Sequence, residues 1–496
     1  MATDDPGAPR PPPQRSLASR AAGGAAVTMS AQLAKVAMQF GGIVLLARLL
    51  SPRDYGLVVM VVAIAGIGEV LRDFGLSAAA VQAKELSPQQ RSNLFWMNSL
   101  IGALLALALY AGAGAIAALY GEPALHGIAQ VLALSFLLNG VTTQFRAHLN
   151  RDMRFARLAW SEVAAQLAGL AAAVGAALAG AGYWALVVQQ LVQAGATLAL
   201  MAWGARWRPG LPRRGVPMGG LLKFGWTLMA TQLLAYASSN VGQVIVGQRL
   251  GTAVLGQFNR AFTLMSMPLN QINAPATSIA LPTLSQLHDD PPRYAAYLLH
   301  GQRITMHFML ALFAMAGAMA DPIIPLLLGR QWHPAVPIFR ILAVGAMFQM
   351  AAYAAYWVFL SKGLTGSQLR YAIVSRSFLI ACILAGSQWG VLGVAAGHAI
   401  GLALLWPWVL AWLGRASDAP VGAMFRGGAR ALCVHGVAGL AAWGACRELS
   451  PHGPLLQLIA GGMAALSAWL LLYLLWPSFR QDVTSILGSR RLLRPV

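Results

Sequence analysis

Stretches of about twenty largely apolar residues recur along this chain, separated only by short polar segments. Each is long enough to cross a bilayer as a helix. They fall at 23–50, 56–82, 94–120, 125–147, 159–180, 183–204, 223–248, 252–285, 297–320, 335–361, 369–388, 390–413, 429–447 and 454–476. The longest connection, from Arg206 to Leu222, is under about twenty residues, leaving no room for a soluble domain between spans. The pattern predicts an all-α, polytopic membrane protein of about fourteen transmembrane helices.

Composition sharpens this reading. A length of 496 residues alone would suggest about three soluble domains. With 58% hydrophobic and 10% charged residues and a mean hydropathy of +0.62, the chain lies far outside the globular range. The net charge of +20 does not point to nucleic acid, because the basic residues are not gathered on one soluble face. They sit in short segments between apolar stretches, as in loops that face anionic headgroups.

Those segments also orient the chain. With a cytoplasmic N-terminus, the inside segments and their edges hold 21 of the 35 basic residues. Examples are Arg151, Arg154, Arg157, Arg206, Arg208, Arg213 and Arg214. The other side holds four: Arg53, Arg249, Arg330 and Arg447. An excess of this size places both termini in the cytoplasm. Residues 1–22 read as a disordered cytoplasmic tail and 477–496 as a second tail. The apolar run at 23–50 is too long for a cleaved signal peptide and is expected to stay as the first span. Cys382, Cys433 and Cys446 lie in apolar segments without metal-ligand spacing, so neither disulfide, metal nor cofactor is expected.

An internal repeat is legible at an offset of 200. Met29-x-x-Gln32-Leu33 recurs as Met229-x-x-Gln232-Leu233, and Leu50-x5-Gly56 as Leu250-x5-Gly256. Gly182-Tyr183-Trp184-Ala185 opens the sixth span much as Gly390-Val391-Leu392-Gly393 opens the twelfth. Chance likeness between apolar sequences is the competing reading. As a true repeat, it divides the chain into an N-lobe (23–204), a basic cytoplasmic linker (205–222) and a C-lobe (223–413). Two six-helix lobes of like orientation would then flank a central cavity, with two C-terminal helices (429–476) outside the repeat.

The strings LLSPRDYGL (Leu49 to Leu57), LRDFGLSAAA (Leu71 to Ala80) and LFWMN (Leu94 to Asn98) closely resemble one family. They look like the polysaccharide-export (Wzx-type) flippases of the multidrug/oligosaccharidyl-lipid/polysaccharide superfamily. YGEP (Tyr120 to Pro123) and GQFNRAFTLMSMPL (Gly256 to Leu269) fit the same pattern, and the likeness covers nearly the whole chain. It implies a two-lobed bundle working by alternating access in the bacterial inner membrane. The implied substrate is an oligosaccharide on undecaprenyl pyrophosphate, in a lipopolysaccharide or exopolysaccharide pathway with a polysaccharide polymerase as partner.

Ionisable groups inside spans are costly, so each is a functional candidate. Glu69, Arg72 and Asp73 share one face of the second span. Two readings stand: Glu69 or Asp73 couples transport to a gradient of H+ or Na+, or the three form a neutralised structural cluster. A pyrophosphate needs cations, and Lys35, Arg72, Arg260 and Arg376 lie well inside their spans. Arg146, Arg303 and Arg340 lie nearer span ends, where snorkelling to headgroups is the favoured reading. In the eighth span Pro268, Pro275 and Pro282 recur every seven residues along one stripe, with Asn270, Gln271 and Asn273 between them. This marks a bent helix that either lines a hinge and cavity or is merely kinked. Trp203, Trp207, Trp389 and Trp476 are expected in interfacial belts, and His398 as a structural histidine.

Flipping of a lipid-linked oligosaccharide is therefore the leading expectation. A multidrug exporter of the same superfamily is the alternative, disfavoured by the two extra C-terminal spans. A membrane polysaccharide polymerase, ligase or glycosyltransferase would need a sizeable outward loop or acidic surface site that the chain lacks. No Gly-rich phosphate loop, HExxH or GxSxG is present.

Overall fold

The computed structural model describes residues 17–73, 86–216, 218–450 and 452–488, and these are helical throughout their ordered elements. The helices are α1 (Leu17–Leu49), α2 (Pro52–Asp73), α3 (Pro88–Tyr120), α4 (Ala124–Arg151), α5 (Phe155–Leu178) and α6 (Trp184–Ala205). Then come α7 (Gly219–Leu250), α8 (Thr252–Gln286), α9 (Pro291–Ala318), α10 (Ala320–Leu328), α11 (Ala335–Ser361) and α12 (Thr365–Gly386). The chain ends with α13 (Gly390–Ala416), α14 (Val421–Glu448), α15 (Pro454–Leu475) and α16 (Pro477–Leu487). As far as they lie in the described residues, the fourteen apolar stretches each fall on their own helix, α1–α9 and α11–α15; residues 74–82 of the second stretch lie outside the described residues. The short α10 turns away from α9 by 82°, and α16 follows the last span.

Ten of the described stretches are long and apolar enough to cross a membrane, or eleven with α9 and α10 taken together. One of these, Thr365–Ala416, has 52 residues and comprises both α12 and α13. At about 1.5 Å per residue it is far too long for a single crossing. It reverses at Gly390, whose φ of +72° glycine adopts without strain. α7 and α8 are missing from the apolar set. They carry Ser238, Asn240, Gln243, Asn259, Arg260 and Asn270, a polar content tolerated only against protein or water.

The helix starts follow from local chemistry. Ser87 and Gln90 exchange hydrogen bonds, Ser87 N to Gln90 Oε1 at 2.9 Å and Gln90 N to Ser87 Oγ at 3.1 Å. That reciprocal cap starts α3 six residues before the apolar run begins. Ser51 and Asp54 do the same for α2, with Pro52 at its first position. Asp290 caps α9 by accepting from Arg293 N.

The helices belong to two compact units. One holds the described residues up to 46, from 71 to 111 and from 130 to 229; the other holds 47–70, 112–129 and those from 230 onward. Within each, loop contacts test the counting of spans. In the first unit, Asn93 Nδ2 donates to Arg213 O at 2.8 Å and Trp96 Nε1 to Gly210 O at 2.8 Å. Arg91 lies over the Trp207 ring at 4.4 Å and meets His148 at 3.1 Å. These contacts join the start of α3, the end of α4 and the connection after α6, which an alternating count puts on one side.

In the second unit, Trp332 Nε1 and Gln331 Nε2 donate to Ala47 O at 2.8 and 2.7 Å, and Arg53 pairs with Glu122 at 3.5 Å. Arg249 Nη1 donates to Ser387 Oγ at 3.0 Å. These join the connection after α1 to those after α3 and the α9–α10 pair, and the end of α7 to the connection after α12. Lys362 pairs with Asp418, joining the connections after α11 and α13. A span missed or invented between any two of these loops would have separated them by the membrane thickness.

The offset of 200 reappears as geometry. A Cβ on Gly56 would run into the carbonyl of Thr252, and one on Gly256 into the carbonyl of Pro52. Residue 56 thus meets 252 and residue 256 meets 52, the reciprocal pairing that a two-fold repeat would give. The N-terminal turns of α2 and α8 approach backbone to backbone there, as small residues permit in a membrane. Substituting Gly56→Ala or Gly256→Ala should overpack this contact by about 1–3 kcal/mol and lower the melting temperature of the purified protein. Gly41→Ala, with nothing within 4 Å, should leave it unchanged.

Candidate functional site

Cations inside the spans must find partners, and the structure shows those of the four candidates. In the first unit, Lys35 Nζ of α1 lies 2.8 Å from Glu162 Oε2 of α5. Arg146 Nη2 of α4 reaches the other oxygen, Oε1, at 3.3 Å. Gln166, one turn along α5, donates to Lys35 O at 3.3 Å. One carboxylate thus serves two cations and ties three helices, leaving the group with one net positive charge. Arg146 pairs here rather than simply snorkelling. Glu162 was not singled out from the sequence because it lies at the start of its span, yet it is one of only 15 acidic residues. Scarcity was the available signal.

Arg72 Nη1 donates to Asn139 O at 3.0 Å and to the Thr143 hydroxyl, fixing α2 to α4. Glu69 is half-buried on α2. Asp73 is the last residue of α2, and its side chain lies outside the described residues, as do the motif residues 74–80.

In the second unit, α7 gathers the other two candidate cations. Arg376 of α12 donates to the Ser238 hydroxyl and to Ala235 O at 3.5 Å. Arg260 of α8 donates to its neighbour Asn259 Oδ1 at 3.0 Å. Asn259 donates to Gln243 at 3.0 Å, and Gln243 to Asn240 at 3.2 Å, two residues from Ser238. The Arg260 guanidinium also lies over the ring of Tyr55 at 4.1 Å, and Tyr55 is buried edge-on to Trp332, centroids 5.4 Å apart. Neither Arg260 nor Arg376 has a carboxylate partner among the described residues. Both keep their charge against amides, hydroxyls, carbonyls and a ring face.

These contacts account for LLSPRDYGL. Ser51 and Asp54 cap α2, Pro52 starts it, Tyr55 receives Arg260 and Gly56 admits the α8 backbone. A family model described as "Polysaccharide biosynthesis protein" matches residues 45–337, more than half of the chain. The chain belongs to this family. The chain is 24% identical over 367 residues to the lipopolysaccharide biosynthesis protein WzxC of Escherichia coli (strain K12), covering 71% of this chain and 72% of that one. It is 23% identical over 440 residues to the teichuronic acid biosynthesis protein TuaB of Bacillus subtilis (strain 168), covering 86% and 88%. It is 25% identical over 308 residues to the succinoglycan biosynthesis transport protein ExoT of Rhizobium meliloti (strain 1021), covering 62% of each.

Among solved structures, the fold is that of the lipid II flippase MurJ in an inward closed conformation. The TM-score is 0.71 at 13% identity, over 90% of this chain and 98% of that one. An inward-facing multidrug transporter of the MATE family matches with a TM-score of 0.61 at 15% identity, over 81% and 99%. The chain is thus a multi-pass helical membrane protein of the polysaccharide biosynthesis family.

Other candidates take definite places. α8 runs unbroken through Pro268, Pro275 and Pro282. Pro275, Pro282 and Asn270 are exposed, and Gln271 is half-buried. Tyr353 of α11 donates to Asn273 O at 2.8 Å and meets Thr277 Oγ1 at 2.8 Å, so a hydroxyl supports the backbone next to Pro275. His398 lies edge-on to Phe262, centroids 5.8 Å apart, within the packing. Trp203 and Trp389 are exposed as belt residues should be. Trp207 departs from that expectation, packing against Phe145 and Phe95 under Arg91 because its loop folds back onto α3 and α4.

Lys35→Ala and Glu162→Gln should each lower the melting temperature, and the double variant should lose less than the two effects added. The coupling expected for a shared contact is about 0.5–3 kcal/mol. Strict additivity would mean that the pair does not act as a unit.

Proposed function

We propose that this protein is a carrier, not a catalyst, that flips oligosaccharides linked to undecaprenyl pyrophosphate across the bacterial inner membrane. The observation that carries this reading is the pair Arg260 and Arg376, each held by neutral groups alone, Arg376 on α7 and Arg260 by Asn259 and the ring of Tyr55. Uncompensated guanidinium groups at membrane depth are costly and suit a passing anion, and their paired donors fit phosphate oxygens. Lys35 with its shared carboxylate, and Arg72, add cationic sites along the N-lobe. The relatives' names support the assignment: they make or transport surface polysaccharides, and the MurJ fold neighbour flips a lipid-linked precursor.

On this reading the lobes 23–204 and 223–413 alternate around a cavity between them. The reciprocal Gly56–Thr252 and Gly256–Pro52 contact closes the outer end, and its separation opens the outward path. Pro268, Asn270, Gln271, Pro275 and Pro282 give α8 the bend and polar surface of a hinge lining. Loop charge supports cytoplasmic termini. A gradient of H+ or Na+, read by Glu69 or Asp73, drives the cycle, and a polysaccharide polymerase takes up the product outside. The multidrug-exporter reading rests on likeness of fold alone.

Deletion of the gene should abolish one surface polysaccharide and leave its lipid-linked repeat units inside the inner membrane. Complementation by Arg260→Ala or Arg376→Ala should fall at least about tenfold at normal protein level, the loss of one charge-assisted phosphate contact. Normal export by both variants would remove the cationic path. Export by Glu69→Gln and Asp73→Asn that is unchanged at every imposed gradient would remove these residues from ion coupling.

A further inference from the structure

The end of the second unit where α9 and α14 begin carries a second ionic centre, unrelated to the cations on α7. Its core is Asp482 of α16, whose carboxylate is almost wholly buried, 3% exposed. Arg430 of α14 binds it with both ends of its fork, Nε to Oδ2 at 2.5 Å and Nη2 to Oδ1 at 2.8 Å. Arg303 Nε of α9 lies 2.9 Å from Oδ1, and Arg303 Nη1 donates to Ser485 Oγ at 2.6 Å. His307 Nε2 is 3.5 Å from Oδ2, and its other nitrogen meets His435 Nε2 at 2.9 Å. Burial alone would raise the Asp482 carboxyl, but the hydrogen bonds from His307 and Arg430 and the charges of Arg430 and Arg303 hold it below its ordinary value. It therefore stays ionised at neutral pH, and its support for α16 is lost only as pH falls through that lowered value.

Beside this centre lies an open cavity of about 370 Å³, lined by Gln302, Arg303, Arg426, Arg430, Ser478 and Asp482 among others. Arg426 sits one helical turn before Arg430 on the same face of α14, exposed and without a hydrogen-bond or ion-pair partner among the described residues. Three guanidinium groups therefore face a single carboxylate. The space is about a dozen water volumes, ample for a phosphodiester. Across α16 lies a second cavity of about 290 Å³ that shares His307 and is, apart from His435, apolar, with Trp469, Phe479, Val483, Ile486 and Leu487 in its wall. The helix divides the two environments by its own pattern, with 478, 482 and 485 polar and 479, 483, 486 and 487 apolar.

A cationic cavity next to an apolar one, at the level where spans begin and end, matches one class of ligand. We infer that this end of the protein binds a membrane glycerophospholipid with an anionic headgroup, its phosphate on Arg426 and Arg430 and an acyl chain along the apolar face of α16. A soluble anion would use the first cavity and leave the second without purpose. A zwitterionic lipid carries its own cation into a site that already holds a surplus of them. Basic recesses between spans on the cytoplasmic side commonly hold anionic headgroups. Placing the site in the cytoplasmic leaflet rests on the orientation proposed above; the chemistry of the site does not.

The test is direct binding to the full-length protein in neutral detergent, with dioctanoyl phosphatidylglycerol, dioctanoyl phosphatidylcholine and inorganic phosphate as separate probes. Phosphatidylglycerol should bind saturably and raise the melting temperature, while the other two should do neither at the same concentration. Arg426→Ala, which disturbs no internal contact, should bind phosphatidylglycerol about tenfold more weakly at an unchanged ligand-free melting temperature. Leu487→Asp should weaken lipid binding through the apolar cavity alone. Binding of phosphatidylcholine as tight as phosphatidylglycerol, or wild-type affinity in Arg426→Ala, overturns the site. Inorganic phosphate that protects as well as the lipid overturns the lipid assignment. Export plays no part in the readout, so failure here leaves the flippase proposal standing, and failure of that proposal leaves this one intact.

Discussion

An ionised side chain carried below the membrane surface has to meet another charge, a polar group or water, and this chain has 35 lysines and arginines for 15 acids. The shortage of carboxylates organises much of the structure. Two of the acids are shared. Glu162 serves Lys35 and Arg146, and Asp482 serves Arg303, Arg430 and His307. Because the cations sit on different helices, each shared acid becomes a joint among three elements, α1, α4 and α5 in one case and α9, α14 and α16 in the other.

Where no acid is available, arginines use the unsatisfied carbonyls at helix C-termini, which carry partial negative charge. Arg48 donates to Leu326 O and Leu327 O at the end of α10, at 2.5 and 3.1 Å. Arg157 donates to Gly204 O at the end of α6, at 2.9 Å. These contacts anchor the loops that keep each span on its side, so topology and electrostatics are solved by the same groups. Arg260 and Arg376 are the exceptions that matter for function. They have neither acid nor helix terminus: Arg376 meets the polar stretch of α7, and Arg260 meets Asn259 and the ring of Tyr55; on the proposed function that residual charge meets an anionic cargo.

The shape of the family motif has a comparable origin. A string such as Ser51-Pro52-Arg53-Asp54-Tyr55-Gly56 combines a helix cap, a helix start, a ring for a guanidinium and a bare backbone for close approach. Its related segment at 252–256 keeps only the glycine, because the two-fold contact needs a small residue on both sides while the cap and the ring are needed once.

The sequence by itself determined what depends on local composition: where each helix lies, how many times the chain turns back, and which loops share a side. Hydropathy is a property of neighbouring residues, so it survives without knowledge of the fold, and the loop contacts agree with the alternation it implies. Helix caps at Ser51, Ser87 and Asp290 are local in the same way. Only the tertiary structure decided which charges meet. Lys35 and Glu162 are 127 residues apart, Arg303 and Ser485 182, and no periodicity in one helix reveals the rotation that turns its charged residue toward a particular neighbour. The same limit hid the role of α16, which reads as a polar tail until Asp482 is seen closing on two arginines from other helices.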